Sequence, residues 1–371
     1  MEIHAEVHAL LRLVIEQQAS DLHLKVKTPP VLRIHGHLVP TDLPPLEPPE
    51  LQSLIESMLT EEQRQQFRRD LELDFGYSVP GLSRFRVNVF QQRGVIGAAI
   101  RVIPMTVPTI RQLGLPEVVE RFAELPRGLV LVTGPTGSGK STTLAALIHH
   151  INHHRSCHIV TIEDPIEYLH HDHKSIIDQR EVGADTHSFS HALRHVLRQD
   201  PDVILIGEMR DLETIATAIT AAETGHLVLA TLHTMSAGQA VERMVDVFPP
   251  HQQEQVRMQL SLSLEGVLSQ TLLPRRDGRG RVAAVEVLRM TPAVRNLIRE
   301  GKTFQLPSAI QSGSRDGMQS LNQALRRLVE EGMVSYEEAV ARASSLEEFN
   351  QLLGRARVGA PGASSSHVVG Q

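Results

Sequence analysis

The stretch GLVLVTGPTGSGKSTTLAALI, residues 128–148, decides the fold of this chain. Residues 129–132 form a short apolar run typical of a buried strand, and residues 140–148 have helical periodicity. The glycine-rich residues 134–139 between them continue neither a strand nor a helix. A strand, a glycine-rich turn and a helix in this order predict a phosphate-binding loop at the start of the helix.

The loop meets the pattern G-x-x-x-x-G-K-[ST], and each part of the pattern has a mechanical reason. The glycines let backbone N–H groups approach a phosphate chain at the positive end of the helix. Lys140 is expected to reach the β- and γ-phosphate oxygens, and the Ser141 hydroxyl is expected to bind Mg²⁺. The predicted nucleotide-binding residues are Gly134, Pro135, Thr136, Gly137, Ser138, Gly139, Lys140, Ser141 and Thr142. We therefore expect ATP and Mg²⁺ to bind here.

The composition of the chain limits the classes of protein and the kinds of site that it can form. The 371 residues are 41% hydrophobic and 22% charged, which predicts a folded protein of two or three domains. A formal net charge of −6 argues against a nucleic-acid-binding protein that depends on a broad basic face. The single cysteine, Cys157, excludes an internal disulfide framework and a four-cysteine zinc site. No apolar run reaches 18 residues, and acids stand where a signal peptide is basic, so we expect a cytoplasmic protein.

The first part of the chain predicts a small α+β domain at residues 1–103. Its elements are a helix at 3–18, a hairpin at 29–40, a helix over Glu50–Arg69 and three alternating β-type runs at 71–79, 83–92 and 95–103. A proline-punctuated linker at 104–116 closes this domain.

The second part of the chain, residues 117–354, alternates strands and helices. Beyond the loop helix, strands are predicted at 158–162, 203–207 and 226–234, with helices near 188–199 and 212–224. This order predicts an α/β fold with a mostly parallel sheet covered on both faces. From about residue 250 we expect mainly helices, with one β-type stretch at RVAAVEVL, and the glycine-rich tail 355–371 is predicted to be disordered.

Acidic residues follow two of the predicted core strands. Glu208 comes just after the run that ends at Gly207, where a carboxylate can orient an attacking water. Glu163, Asp164 and Glu167 follow the other strand. Three acids beside a phosphate site would repel substrate without a cation, so we expect catalytic roles for the glutamates and Mg²⁺ binding by Asp164.

Basic side chains supply further candidates. His233 ends the last predicted strand of the sheet, where it can contact a γ-phosphate or a neighbouring subunit. Three arginines lie on strands of the first domain, and Arg84 and Arg101 are selected as candidates for an arginine supplied to a neighbouring active site. The histidines at 149–154 and 170–173 have metal-compatible spacing in part, but nearby acids and the lack of a paired motif favour a solvated surface.

Four motifs carry a resemblance to the secretion ATPase superfamily. GPTGSGKST, TIEDPIEYLH, DPDVILIGEMRDLET and GHLVLATLHT resemble its Walker A, Asp box, Walker B and His box in order and spacing. ASDLHL (19–24), the segment 73–104 and VRNLIREGKTFQLPSAIQSG (294–313) resemble the retraction ATPases of type IV pili, the PilT family.

The resemblance implies a PAS-like N-terminal domain, a RecA-like ATPase domain with a helical C-terminal region, and a homohexameric ring. It also implies a motor that powers pilus retraction and twitching motility from the cytoplasmic face of the inner membrane. A platform protein of that membrane would be the partner, and any membrane association would pass through partners. A PilU-type paralogue stays open, whereas the absent tetracysteine site disfavours the PilB type.

Two other functions are weighed against this one. A nucleotide-sensing scaffold would not need Glu208 and Glu163, and a nucleic-acid translocase fits poorly with a negative net charge and 3% aromatic residues. For residues 293–313, we expect Val294, Leu297 and Ile298 to form an apolar helical face. Arg295, Arg299 and Lys302 would then be solvated or transmit movement.

Overall fold

The computed structural model describes residues 2–34, 36–104 and 106–354. The disorder predicted for residues 355–371 falls outside the described residues. The chain forms two compact units. The first joins the residues up to Thr109 with Leu144–Met209, and the second joins Ile110–Thr143 with the residues from Arg210 on.

Strands and helices are numbered in chain order. The strands are β1 (Asp21–Leu24), β2 (Val31–Ile34), β3 (His37–Pro40), β4 (Glu72–Val79), β5 (Ser83–Gln92), β6 (Val95–Ile103), β7 (Gly128–Thr133), β8 (His158–Glu163), β9 (Ile176–Glu181), β10 (Val203–Ile206), β11 (Leu227–Leu232), β12 (Leu264–Pro274) and β13 (Arg281–Arg289). The helices are α1 (Glu2–Glu16), α2 (Pro48–Met58), α3 (Glu61–Asp70), α4 (Val118–Ala123), α5 (Lys140–His154), α6 (Phe189–Val196), α7 (Leu212–Glu223), α8 (Ala237–Asp246), α9 (Pro250–Ser263), α10 (Pro292–Arg299), α11 (Leu306–Ser312), α12 (Leu321–Glu330), α13 (Tyr336–Val340) and α14 (Leu346–Leu352).

The first unit contains an antiparallel sheet with the order β3-β2-β1-β6-β5-β4. Along β5, Phe85, Val87 and Val89 are fully buried and alternate with partly exposed residues, as a sheet with one covered face requires. One apolar core cluster draws its buried members only from residues 7–100. The three predicted β-type runs and the hairpin are confirmed, while the domain boundary at 103 stays a prediction.

The first unit also contains three parallel strands, in which β8 lies between β10 and β9. Their carboxyl ends are therefore neighbours. Glu163 and Glu181 end β8 and β9 and face each other in register, and Gly207 follows β10 directly. Strand β9 was not predicted, because IIDQRE carries three charged residues among its six and so lacks the apolar run of a buried strand.

The second unit contains four strands in the order β13-β12-β7-β11. Strand β7 pairs in parallel with β11 and β12, and β13 runs antiparallel to β12. Every residue of β7 and β11 is buried, as expected for parallel strands covered on both faces. Helix α7 packs on both of these strands.

Two secondary-structure predictions are wrong. The single helix expected over Glu50–Arg69 is broken into α2 and α3, because Thr60 accepts from the Gln63 N–H and starts a new helix with a capping box. Residues 264–274 were expected to be helical but form β12. Within the described ranges, no helix is long and apolar enough to cross a membrane.

Candidate active site

The phosphate-binding loop, residues 134–142, connects β7 to α5 in the second unit. Gly134 has a φ of +144°, and a Cβ at this residue would overlap the Gln270 carbonyl oxygen and lie 2.6 Å from Ser138 Oγ. Only glycine meets both requirements, so the sequence pattern has a direct steric cause here. Helix α5 begins at Lys140, which directs the N-terminal end of the helix at the loop.

Lys140 is buried and its ammonium group lies against the loop. Its Nζ donates to the carbonyl oxygens of Gly134 at 3.0 Å and Pro135 at 3.1 Å, and it lies 3.5 Å from Nδ1 of His233. His233 follows the end of β11 and is exposed. His233 therefore lies beside the loop lysine, while its contact with a γ-phosphate or a neighbouring subunit stays a prediction.

Strand β12 supports the loop, a role that was not predicted because the strand itself was missed. The Gln270 amide donates to the Ser138 carbonyl at 2.7 Å, and its Oε1 accepts from the Thr143 hydroxyl at 2.9 Å. Thr133 and Ser269 are joined by a hydroxyl hydrogen bond of 2.7 Å. Gln270 and Ser269 are buried polar residues in an otherwise apolar run, which is the only local signal of their role.

The loop residues fit a phosphate chain. The Ser138 hydroxyl is buried and, within the described part of the chain, has no hydrogen-bond partner. A buried donor without an acceptor is costly, and a phosphate oxygen would satisfy it. Lys140 and the N-terminus of α5 add positive potential at the same place.

Glu163 lies in the first unit with a defined environment. Its Oε1 accepts from the Thr161 hydroxyl at 2.6 Å and from the Gln179 amide at 3.1 Å. Burial raises the pKa of Glu163, while these hydrogen bonds and one from the Glu167 backbone N–H act in the opposite direction. A carboxylate with a raised pKa is a better proton acceptor near neutral pH, which agrees with the role predicted for Glu163.

Glu208 and Gly207 follow the neighbouring strand β10. The Gly207 N–H donates to the Ile162 carbonyl at 2.8 Å. A Cβ at Gly207 would lie 3.1 Å from that oxygen and 3.3 Å from Cα of Glu163. A side chain at this position would therefore push the backbone of the Asp box, residues 161–170, by a few tenths of an ångström, and the carboxylate comes one residue later, at the half-buried Glu208.

The other two acids of the Asp box, Asp164 and Glu167, are exposed. Sequence reasoning missed two residues of β9 that hold this segment. Gln179 accepts from the His170 N–H at 2.8 Å and donates to the Tyr168 carbonyl at 2.9 Å. Glu181 accepts from the Ile166 N–H at 3.0 Å.

The two candidate arginines differ in their surroundings. Arg84 is ion-paired with Glu181 at 2.8 Å, and its side chain is only 17% exposed. Arg101 is ion-paired with Asp21 at 2.8 Å, and its side chain is 69% exposed. Both pairs lie within the first unit, and Arg101 is the one that remains accessible.

The histidine clusters form ring contacts in the first unit. His149 and His153 have ring centroids 4.1 Å apart, and His153 and His173 are 4.3 Å apart. Among the residues that the structure describes, no group of three or more histidine, cysteine or acidic side chains is arranged to hold a metal ion. His226, which lies between α7 and β11, has its Nδ1 2.9 Å from the carbonyl oxygen of Ala221 in α7.

The chain matches the family described as Type II/IV secretion system protein over residues 2–341. It is 52% identical over 344 residues to the "Type IV pilus retractation ATPase PilT" of Pseudomonas aeruginosa, covering 93% of this chain and 100% of that protein. It is 43% identical over 348 residues to the "Type IV pilus ATPase PilU" of the same organism, covering 94% and 91%. The crystal structure of the pilus retraction motor PilT with bound ADP superposes with a TM-score of 0.86 at 49% identity, covering 92% and 98%.

Proposed function

Because the chain belongs to the type II/IV secretion system protein family, we propose that it is an ATP-hydrolysing motor that powers retraction of type IV pili and twitching motility. The P-loop carries this proposal, since it holds Lys140, the start of α5 and the Ser138 hydroxyl, which has no hydrogen-bond partner among the described residues. The 52% identity to a retraction ATPase over 93% of the chain supports retraction as the work done.

Residues 134–142 bind the phosphate chain of ATP. Lys140, which now donates to two loop carbonyls, exchanges these acceptors for β- and γ-phosphate oxygens. His233, 3.5 Å from the lysine ammonium, is then close enough to respond to the γ-phosphate. Gln270 keeps the loop in place while the nucleotide changes.

Glu208 and Glu163 orient the water that attacks the γ-phosphate, and Glu167 contributes charge beside them. The raised pKa of Glu163 suits a group that accepts a proton from that water. The Ser141 hydroxyl and the exposed Asp164 would hold Mg²⁺. When bound, this ion supplies positive charge that neutralises the β- and γ-phosphate oxygens.

The motor works as a homohexamer, in which an arginine of one subunit completes the site of another, and Arg84 and Arg101 are the candidates. The ring lies in the cytoplasm at the inner membrane and reaches the membrane only through partners, chiefly the pilus platform protein. A PilU-type paralogue can share the task, since a relative of that name is 43% identical to this chain. Hydrolysis drives removal of pilin at the fibre base, and no nucleic acid takes part.

Steady-state ATPase measurements on the purified protein test the proposed activity. Lys140→Ala should abolish ATP binding, because it removes the side-chain cation of the loop. Glu208→Gln should keep ATP binding and lose turnover, because the amide preserves shape but not basicity. Turnover by the glutamine variant at the parental rate would show that Glu208 is not the acid that orients water.

Deletion of the gene tests the cellular role. Pili should accumulate on the cell surface and twitching should stop, and the parental gene, but not Glu208→Gln, should restore both. An ATPase rate that rises with added DNA, together with normal pilus retraction in the deletion strain, would favour a translocase. Tight ATP binding without any turnover would favour a sensing scaffold.

A further inference from the structure

Glu181 links the N-terminal sheet to the Asp box inside one chain. This residue ends β9 and is buried, with 4% of its surface exposed. A single oxygen, Oε2, accepts from Arg84 Nη2 at 2.8 Å and from the Ile166 N–H at 3.0 Å. One carboxylate oxygen therefore joins strand β5 to the segment that follows Asp164.

The backbone around Glu181 strengthens this link. Glu181 faces Glu163 in the pairing of β9 with β8, and the next N–H along the chain, from Val182, donates to the Glu163 carbonyl at 2.9 Å. The N–H of Glu181 itself donates to Asp185 Oδ2 at 2.8 Å. These backbone hydrogen bonds fix the position from which the carboxylate extends. Its partner Ile166 lies only two residues beyond Asp164.

A glycine makes room for the arginine. Arg84 Nη1 donates to Ser78 Oγ at 2.9 Å, and the guanidinium group crosses strand β4 at Gly76. A Cβ at Gly76 would overlap Arg84 Nη2 and would lie 2.9 Å from Glu181 Oε1. The contact between Arg84 and Glu181 therefore depends on the absence of a side chain at Gly76.

We propose that Arg84 and Glu181 are positioning residues that hold the Asp box of their own subunit in its working geometry. Without Arg84, the buried Glu181 carboxylate loses its cationic partner, which is costly, so the carboxylate turns toward solvent. This movement weakens its bond to the Ile166 N–H. The acids at 163 and 164 then lose their fixed position, and a displacement of about 1 Å can cost about 100-fold in rate.

This inference rests on the proposed ATPase function and separates the two candidate arginines. Arg84 is held in cis by two side-chain contacts and is 17% exposed, whereas the 69% exposed Arg101 can reach a neighbouring subunit. Arg84 then acts on the Asp box of its own chain, and Arg101 remains the candidate for supply in trans.

Kinetics of a double-mutant cycle test the pair. Arg84→Ala and Glu181→Ala should each lower kcat about 10- to 100-fold with KM for ATP within about threefold of the parental value, because the P-loop is untouched. The double variant should be no slower than the slower single variant. Arg69→Ala is the matched control, since Arg69 of α3 lies in the same unit in an exposed pair with Asp70 and should leave kcat unchanged.

Gly76→Ala tests the geometry with every polar group retained. The new methyl group displaces the guanidinium from Glu181, so kcat should fall to the level of Arg84→Ala, and adding Arg84→Ala should cause no further loss. Arg84→Lys should keep kcat within about fivefold, because one cationic donor can still reach Glu181, whereas an arginine that acts on phosphate needs its planar fork. Parental kcat in Gly76→Ala would overturn the proposal.

Mixed rings distinguish action in cis from action in trans. Arg84→Ala protein mixed with Lys140→Ala protein should be no faster than Arg84→Ala protein alone, because every pocket then lacks either its own lysine or its own positioning pair. Arg101→Ala in the same mixture should regain activity. Recovery with Arg84→Ala would overturn the proposal, and if one variant fails to form rings, Gly76→Ala and Arg84→Lys decide. A parental protein without ATPase activity would instead contradict the proposed function.

Discussion

The Gln270 side chain joins strand β12 to the phosphate loop, donating to the Ser138 carbonyl at 2.7 Å. The same side chain accepts from the Thr143 hydroxyl in the first turn of α5. One buried amide therefore bonds both ends of the segment from Ser138 to Thr143, which contains Lys140. Gln270 lies 130 positions after Lys140 in the chain. A substitution at Gln270 should therefore change ATP binding, although it does not require Gln270 to contact the nucleotide.

Gln270→Ala should weaken ATP binding more than it slows turnover. It leaves the Ser138 carbonyl and the Thr143 hydroxyl without their partner, at a cost of about 1–3 kcal/mol in the free energy of unfolding. We expect KM for ATP to rise about tenfold with a smaller change in kcat. The partly exposed Gln259, whose amide bonds Glu223, provides the alanine control. An unchanged KM would mean that β12 does not hold the loop.

Gly207→Ala should lower turnover while ATP affinity is kept. The added Cβ would lie 3.1 Å from the Ile162 carbonyl oxygen, so the Asp box must shift away from it. We expect kcat to fall about tenfold or more in an ATPase assay. Gly238→Ala is the control, because its Cβ would meet nothing closer than 3.8 Å. Parental turnover in Gly207→Ala would contradict the steric account of this residue.

Arg295→Ala should destabilise the second unit. Of the two roles expected for Arg295, the solvated one is wrong, because its side chain is 29% exposed and paired with Glu265. Arg295 forms a bidentate pair with Glu265 at 2.9 and 3.0 Å and also donates to backbone carbonyls of residues 261, 262 and 264. Its loss should lower the free energy of unfolding by about 2 kcal/mol, measured by urea denaturation. A change below 0.5 kcal/mol, the range of ordinary surface substitutions, would count against this structural role.

Arg299 and Lys302 provide a cleaner test of the movement predicted for residues 293–313. Among the described residues, the hydrogen bond of Arg299 goes to Asn296 and the ion pair of Lys302 goes to Glu300, so both partners belong to the same segment. The variant Arg299→Ala/Lys302→Ala should keep its stability, its rings and near-parental ATPase activity, yet leave pili unretracted in cells. Normal retraction by this variant would remove the hypothesis that the segment transmits movement.

The protein should lose stability as the pH falls below neutral. Burial, with smaller contributions from His149 and His171, lowers the pKa of His170 to about 4. The unfolded chain, with a histidine pKa near 6.5, then binds more protons than the folded chain between about pH 4 and 6.5. Through His170, the free energy of unfolding keeps its full value above this range and is lower by about 1 kcal/mol at pH 5.5.

Urea unfolding at pH 7.5 and pH 5.5 measures this effect. His170→Gln should lose less stability between the two values than the parental protein, because the neutral amide does not titrate. His251→Gln, at an exposed residue of α9, should behave as the parental protein does. Equal losses in the parental protein and His170→Gln would assign the pH dependence to other groups.

Local patterns in the sequence were sufficient for much of the fold. Strands β4, β5 and β6 were predicted because their residues alternate, and β7, β8, β10 and β11 because they are short apolar runs. The P-loop, Glu163 and Glu208 were found because each follows such a strand, and loop residues after parallel strands bind ligands. The assignment of roles to these residues stays a prediction.

Elsewhere, tertiary contacts decided the structure against the prediction from local sequence patterns. Strand β12 continues the helical spacing of α9 through Leu264, Val267 and Leu268, and its pairing with β7 and β13 alone makes it a strand. Arg295 has the spacing of a solvated helix residue, but Glu265 meets it from a different element. Local periodicity predicts neither the strands that pair with β12 nor the contact of Glu265 with Arg295.

The sequence by itself determined the chemistry, because a phosphate loop requires glycines and a lysine at fixed spacing, and these requirements are local. Only the tertiary structure decided what holds that chemistry in place. Gln270 reaches the loop and Glu181 reaches Arg84 and Ile166 across long stretches of chain. Such contacts depend on which strands are neighbours, and strand order follows from burying apolar faces across the whole unit.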